Sequence, residues 1–238
     1  MSGVDAPPVE RLPLGPERWL VDLPPPDRSR EGCPLSAVLP PGYARYLRLF
    51  SPFRPWDTEP TETSVRQTWR HFAAQAGAIY HAELDWYTLR PVVHPDERPP
   101  GWEVEDGRLD PLVRAPLCAH LARHSPEPVF LYFGLAAEVL GSEPLLYRAR
   151  VDAIEAVLKA ASQVTGIPIA GPEYIWPQDR AWIVETDYDL TSSYLACDTT
   201  LATELLADDN LELLPVTLDS RIDNACDRLN PRPKKSES

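Results

Sequence analysis

The 238-residue sequence predicts an α+β fold, a mostly antiparallel central sheet with roughly four helices packed on it. Short apolar or alternating runs supply the strands: residues 129–133, 181–190, 193–197 and 211–216. Apolar residues at helical spacing supply the helices, after Ser64, at 112–124, at 152–162 and after Asp198. A hydrophobic content of 43% is ample for one real core.

Residues 1–36 are broken by prolines and read as an N-terminal arm. Trp19, Leu20 and Val21 are its expected anchors on the body. A single α+β domain is expected over 37–227, entered through Leu39-Pro40-Pro41-Gly42. Residues 43–50 fit either a strand or a helix. Apolar side chains on both faces, and the early stop at Ser51-Pro52, favour the strand.

Ser64-Val65-Arg66-Gln67 reads as a capping box that opens a helix. Val65, Trp69, Phe72, Ala73 and Ala76 form its inward stripe, and Gly77 ends it. Residues 90–111 are rich in proline and charge and read as an irregular surface connection. A second helix covers 112–124. Val129–Phe133 is continuously apolar, as a strand buried on both faces would be. The helix at 152–162 turns Ile154, Val157, Leu158 and Ala161 to one side.

Pro177-Gln178-Asp179-Arg180 reads as a tight turn feeding a strand at 181–190. Alternation puts Trp182, Val184, Thr186, Tyr188 and Leu190 on one face and Ile183, Glu185, Asp187 and Asp189 on the other. Residues 193–197 follow as another strand. Asp198 then caps a helix running to Ala207, with Leu201, Leu205 and Leu206 inward. After a last strand at 211–216, residues 228–238 read as a disordered tail.

The densest chemistry lies between Trp176 and Asp189. Glu185, Asp187 and Asp189 would stand in a row at roughly 7 Å steps. Such a row fits a solvated strand face or the end of a strand passing into a polar turn, a protein-binding surface, or a site for a hard cation or acid–base work. EF-hand spacing fails, because Ser192 stands at the turn glycine and Asp198 at the bidentate glutamate. Arg180 is either a clamp for a carboxylate or phosphate, or a structural group stacked on a tryptophan. The candidate binding residues are therefore Trp176, Asp179, Arg180, Glu185, Asp187 and Asp189.

His120 and His124 have the spacing of two ligands to one metal, but the zincin glutamate is missing. A histidine at a helix C-terminus also answers to the helix dipole. Cys33, Cys118, Cys197 and Cys226 form no CxxC pair. Cys118 and His120 are two apart on a helix and point in different directions, a poor nucleophile–base pair. Phosphate-binding glycine loops and the GxSxG elbow are absent. No catalytic residue, metal or cofactor is assigned. The formal charge of −13 disfavours nucleic acid and suits a basic protein partner. No run approaches membrane-spanning length and no secretory signal is visible, so a cytoplasmic protein is expected.

Two segments carry a resemblance. Val38-Leu39-Pro40-Pro41-Gly42-Tyr43 through Phe50 resembles the opening of an uncharacterised family of high-GC bacterial proteins. Trp176-Pro177-Gln178-Asp179-Arg180-Ala181-Trp182, then Thr186-Asp187-Tyr188-Asp189-Leu190 and Tyr194, resembles its best-marked motif. That family implies no known activity. Leu39-Pro40-x-x-Tyr43 also resembles the opening of the SUKH superfamily of immunity proteins and regulators. This second likeness implies an apolar helix after Tyr43 and a sheet with a Trp-bearing strand. Two functional expectations result. One is a non-enzymatic, immunity- or regulator-like protein-binding module, since aromatic residues dominate interface hot spots. The other is a hydrolase or metal-dependent enzyme using Glu185, Asp187 and Asp189.

Overall fold

The computed structural model describes residues 9–21, 23, 32–56, 58, 65–94, 101–104, 109–134, 141–187 and 189–231. Its strands are β1 (Glu10–Leu12), β2 (Arg45–Phe50), β3 (Phe53–Pro55), β4 (Trp102–Val104), β5 (Val129–Phe133), β6 (Leu145–Ala149), β7 (Tyr174–Pro177), β8 (Ile183–Glu185), β9 (Ser192–Cys197) and β10 (Leu213–Val216). Eight of them form one sheet in the order β1-β6-β5-β7-β8-β9-β2-β10. Every neighbouring pair in that sheet is antiparallel. Strands β3 and β4, with helices between them in the chain, make a separate two-stranded antiparallel sheet.

The helices among the described residues are α1 (Arg18–Val21), α2 (Trp69–Ala76), α3 (Trp86–Val93), α4 (Pro111–His124), α5 (Ile154–Thr165) and α6 (Thr199–Leu206). The expected four helical stretches are present; α1 and α3 are additional. None is long and apolar enough to cross a membrane.

The period-2 alternation of the strands sorts the core into two layers. On one face Leu131, Phe133, Ile175, Trp182, Val184 and Leu195 meet Leu117 and Leu121 of α4, Val157 of α5, and Leu201 and Leu205 of α6. On the other, Phe130, Trp176, Ile183 and Tyr194 lie under Leu20, Leu35, Leu39 and Ile222. A third cluster joins Phe50, Phe53, Trp69, Phe72, Leu89 and Val93 around α2 and α3.

Several expectations change. Within residues 43–50, Arg45–Phe50 form a strand, β2, where the SUKH likeness implies a helix. Helix α2 begins at Trp69, and its N-cap is Thr68, whose hydroxyl accepts from the His71 N–H at 3.1 Å. Ser64, the predicted cap, lies outside the described residues, and Val65 is exposed. A carboxylate from far along the chain completes the cap: Glu212 accepts from the N–H groups of Trp69 and Arg70, each at 2.8 Å. Residues 90–111 are not one irregular connection. They contain the end of α3, despite Pro91, and the whole of β4. Leu206, expected inward, is exposed.

The arm is part of the fold. Strand β1 pairs with β6 at the sheet edge, and Leu20 is buried. Val21's side chain and residues 24–31 lie outside the described residues. The tail boundary also moves. Asn230 is only 7% exposed. Its Nδ2 donates to the Ile79 carbonyl at 3.0 Å, while its Oδ1 accepts from the Ile79 N–H at 2.7 Å. Asn230→Ala should therefore cost about 1–3 kcal/mol, because two part-buried hydrogen bonds to the Ile79 backbone are lost. A chain cut after Asp227 should lose a similar amount. Urea unfolding of both against the full chain checks this; unchanged midpoints would mean that the contact carries no stability.

Asp227 is the other half of that lock. Burial works against its charge, but bonds from Asn230, Thr88 and His81 outweigh burial and hold its carboxyl below the usual aspartate range. The Thr88 hydroxyl donates to it at 2.7 Å, and His81 Nε2 stands 3.0 Å away. A carboxylate whose pKa falls on folding stabilises above its unfolded value and loses that contribution as pH drops through the folded one. Unfolding measured from about pH 6 down to about pH 2 should show stability falling in acid, and Asp227→Asn should flatten part of that fall. Identical acid limbs for both proteins would contradict it.

Candidate functional site

The six residues singled out in the sequence occupy separate places. Trp176 is 1% exposed and belongs to the arm-side core, stacked on Phe130 with centroids 5.5 Å apart. Asp179 and Arg180 form the β7–β8 turn, closed by the Arg180 N–H donating to the Pro177 carbonyl at 3.0 Å. Asp179 Oδ1 accepts from the Ala181 N–H at 3.1 Å, an Asx turn. The Arg180 guanidinium lies 4.6 Å from the centre of the Trp19 ring. The structural reading of this turn therefore accounts for both side chains, and the tryptophan comes from the arm.

Arg180 has φ of 55°, a left-handed conformation that costs a residue with a Cβ about 1–2 kcal/mol. Two variants separate strain from stacking. Arg180→Ala keeps the strain and loses the cation–π contact, a loss of about 0.5–1 kcal/mol. Arg180→Gly loses the same contact but relieves the strain, so it should be more stable than the alanine variant by about 1 kcal/mol. Urea unfolding ranks the three proteins; an alanine variant as stable as the glycine one would show that the turn is unstrained.

At the far end of β8 the carboxylate row does not form. The strand stops at Glu185, because the Asp187 side chain captures the Asp189 N–H at 2.8 Å and turns the chain. Glu185 and Asp187 are buried, at 1% and 3% exposure, which excludes a solvated face for them. Asp189 alone reaches a cleft. Tyr188 lies outside the described residues.

That cleft, of about 410 Å³, opens where β2, β9 and the Asp187–Ser192 turn meet α3 and β4. Its floor includes Arg48, Ser192 and Tyr194, and its walls include Trp56, Trp86, Tyr87 and His94. Register explains the floor. Arg48 faces Tyr194 across β2–β9, and Tyr194 faces Glu185 across β8–β9. The row thus lies on the arm-side face of the sheet, at its open end. The walls come from α3, started by Asp85, whose carboxylate accepts from the Tyr87 N–H at 3.1 Å. Trp86 and Trp56 pack edge-on or tilted against His94, at 5.7 and 6.0 Å.

Burial pushes the Tyr194 hydroxyl well above the ordinary tyrosine range, against the opposing charge of Arg48. It pushes the Cys226 thiol up to about 12. Both stay protonated at neutral pH, and Cys226 Sγ lies 3.2 Å from the Glu83 carbonyl oxygen. Sequence reasoning missed Arg48. Its one signal was an arginine sharing a strand face with Tyr46 and Phe50.

His120 and His124 lie on the helical side of the sheet, turned to α6. His120 Nε2 stands 2.9 Å from Asp208 Oδ2, and His124 Nε2 stands 3.1 Å from Glu204 Oε2. Among the described residues, no group of three or more histidine, cysteine or acidic side chains is placed to hold a metal ion. A broader groove of about 900 Å³ runs between α2, α4 and α6, and its Glu212 is already engaged in capping α2. No protein-family model, no curated protein and no solved structure matches this chain.

Proposed function

We propose that the protein is a non-enzymatic protein-binding module, regulator- or immunity-like in role, with a basic protein as partner. The observation that carries this reading is the rim of the cleft. Trp56 and Tyr87 are 44% and 43% exposed there, beside the exposed Asp189. Large aromatics held at a surface are the residue types that dominate binding hot spots. A formal charge of −13 over the whole chain favours encounter with a basic partner. The chemistry of the floor agrees, since its thiol and phenol are held neutral.

One observation favours the enzymatic alternative: Asp189, Asp85 and His94 line the same cleft. Glu185 and Asp187, the other carboxylates of that alternative, are buried and do not line it. The deciding experiment is affinity capture from the native cell, with the wild-type chain and a Trp56→Ala/Tyr87→Ala double variant side by side. A partner retained by the wild type, released by salt and lost by the variant supports the module. A partner held equally by both proteins sinks the rim as the binding surface.

A further inference from the structure

Arg48 presents a problem that the rest of the fold does not solve. It is 4% exposed, so its guanidinium has left most of its water. Its Nε donates to Ser192 Oγ at 2.9 Å, and its Nη1 donates to the carbonyls of Ala82 and Leu84, each at 2.9 Å. The planar group lies 4.3 Å from the Phe50 ring centre and 5.2 Å from that of Trp69. Every one of these partners is neutral. Among the described residues no carboxylate forms an ion pair with Arg48, and Nη2 has no acceptor. Buried charges are ordinarily paired, and aromatic faces offset only part of the lost hydration.

The groups around it do not supply the missing charge. Tyr194 and Cys226 are kept protonated by burial. Three of the acids lining the cleft are engaged elsewhere. Glu103 Oε1 meets Arg54 Nη1 at 2.6 Å, Asp223 meets Arg221 at 2.6 Å, and Asp85 accepts from the start of α3. The two N–H groups of Nη2 are thus left to donate charge-assisted hydrogen bonds to an anionic oxygen. Trp56, Trp86 and Tyr87 offer ring faces or edges to a flat body beside it. About 410 Å³ is within the range of a small-molecule site. Asp189 at the mouth disfavours a second negative charge on the ligand.

We propose that the cleft binds a small monoanionic carboxylate with an aromatic body, the carboxylate seated on Nη2 of Arg48 and the ring against Trp56 and Trp86. This site runs from the floor to Trp56, which it shares with the rim, and its test needs no protein partner.

The test is a titration of the full chain, 15N-labelled at tryptophan, with phenylacetate, indole-3-acetate and 4-hydroxybenzoate. Phenylacetamide and inorganic phosphate are the controls. Trp56→Phe and Trp86→Phe variants assign the two indole N–H signals. At least one carboxylate should move both signals saturably and bind about tenfold or more tighter than phenylacetamide and phosphate, as a charged hydrogen-bond pair requires. Arg48→Lys, if folded by circular dichroism, should lose about tenfold or more in affinity, because one ammonium cannot hold Ser192 and the two carbonyls and still present the donors of Nη2. If that variant does not fold, the acid-against-amide comparison on the wild type decides alone. The site is refuted if none of the three carboxylates gives a saturable shift at these two indoles. Equal binding of acid and amide, or phosphate as tight as the carboxylates, refutes it as well.

Discussion

Trp69→Ala is expected to remove about 3–5 kcal/mol of stability, the range for deleting a fully buried large aromatic. Trp69 has no exposed surface. Its ring centre lies 5.2 Å from Phe50 and 5.1 Å from Phe53, so one deletion opens the middle of the α2–α3 cluster. The indole N–H also donates to the Ser51 carbonyl at 2.8 Å, and that buried acceptor would be left unpaired. Arg48 loses one of the two ring faces that shelter its charge. Urea unfolding followed by circular dichroism measures the loss, and a value below about 1 kcal/mol would show that this cluster contributes little.

Trp176→Ala should cost a similar amount, about 3–5 kcal/mol. Its ring stacks on Phe130 and takes Trp19 edge-on at 5.9 Å, so it ties β7 to β5 and both to the arm. Deleting it removes the seat of Trp19, and Trp19 in turn carries the contact with Arg180. Trp176 was a candidate for recognition on the sequence alone, and its burial assigns it to packing. Trp176→Phe separates the roles: it should restore most of the stability and leave partner binding unchanged. A Trp176→Phe protein of wild-type stability that fails to hold the captured partner would return the residue to the binding surface.

The elements legible in the sequence are those long enough to repeat a pattern or bounded by strong signals. Val129–Phe133 is recovered to the residue, since Pro128 and Gly134 bracket an unbroken apolar run. Asp198 caps α6 as read, its carboxylate accepting from the Leu201 N–H at 2.8 Å. Strands of three residues, such as β1, β3 and β4, are too short to show a period, and tertiary pairing alone makes them strands. Helix α3 was hidden by Pro91, which removes one helical bond. Leu89 and Val93 compensate by burying completely.

The candidate site was less legible, because cross-strand register creates it. Alternation gave Glu185, Asp187 and Asp189 one face, but an aspartate that bonds the backbone two residues on ends a strand. Polar groups that share the cleft, such as Arg48, Asp85, Glu103, Asp189, Ser192 and Asp223, come from five separate parts of the chain.

The position of β2 sets the order in which this chain can become a protein. Residues 45–50 pair with 192–197 on one side and with 213–216 on the other. Until residues 192–197 exist, β2 has neither of its hydrogen-bonding partners in the sheet. At ribosomal rates the wait from β2 to β9 is roughly 7–30 s. Throughout that interval Leu47, Leu49 and Phe50, all buried at the end, belong to an unpaired strand. The closure of such distant ends is slow as well as late. Nascent chains, and fragments ending before Ser192, are therefore natural clients for chaperones and proteases, and the last fifth of the polypeptide decides whether the rest survives.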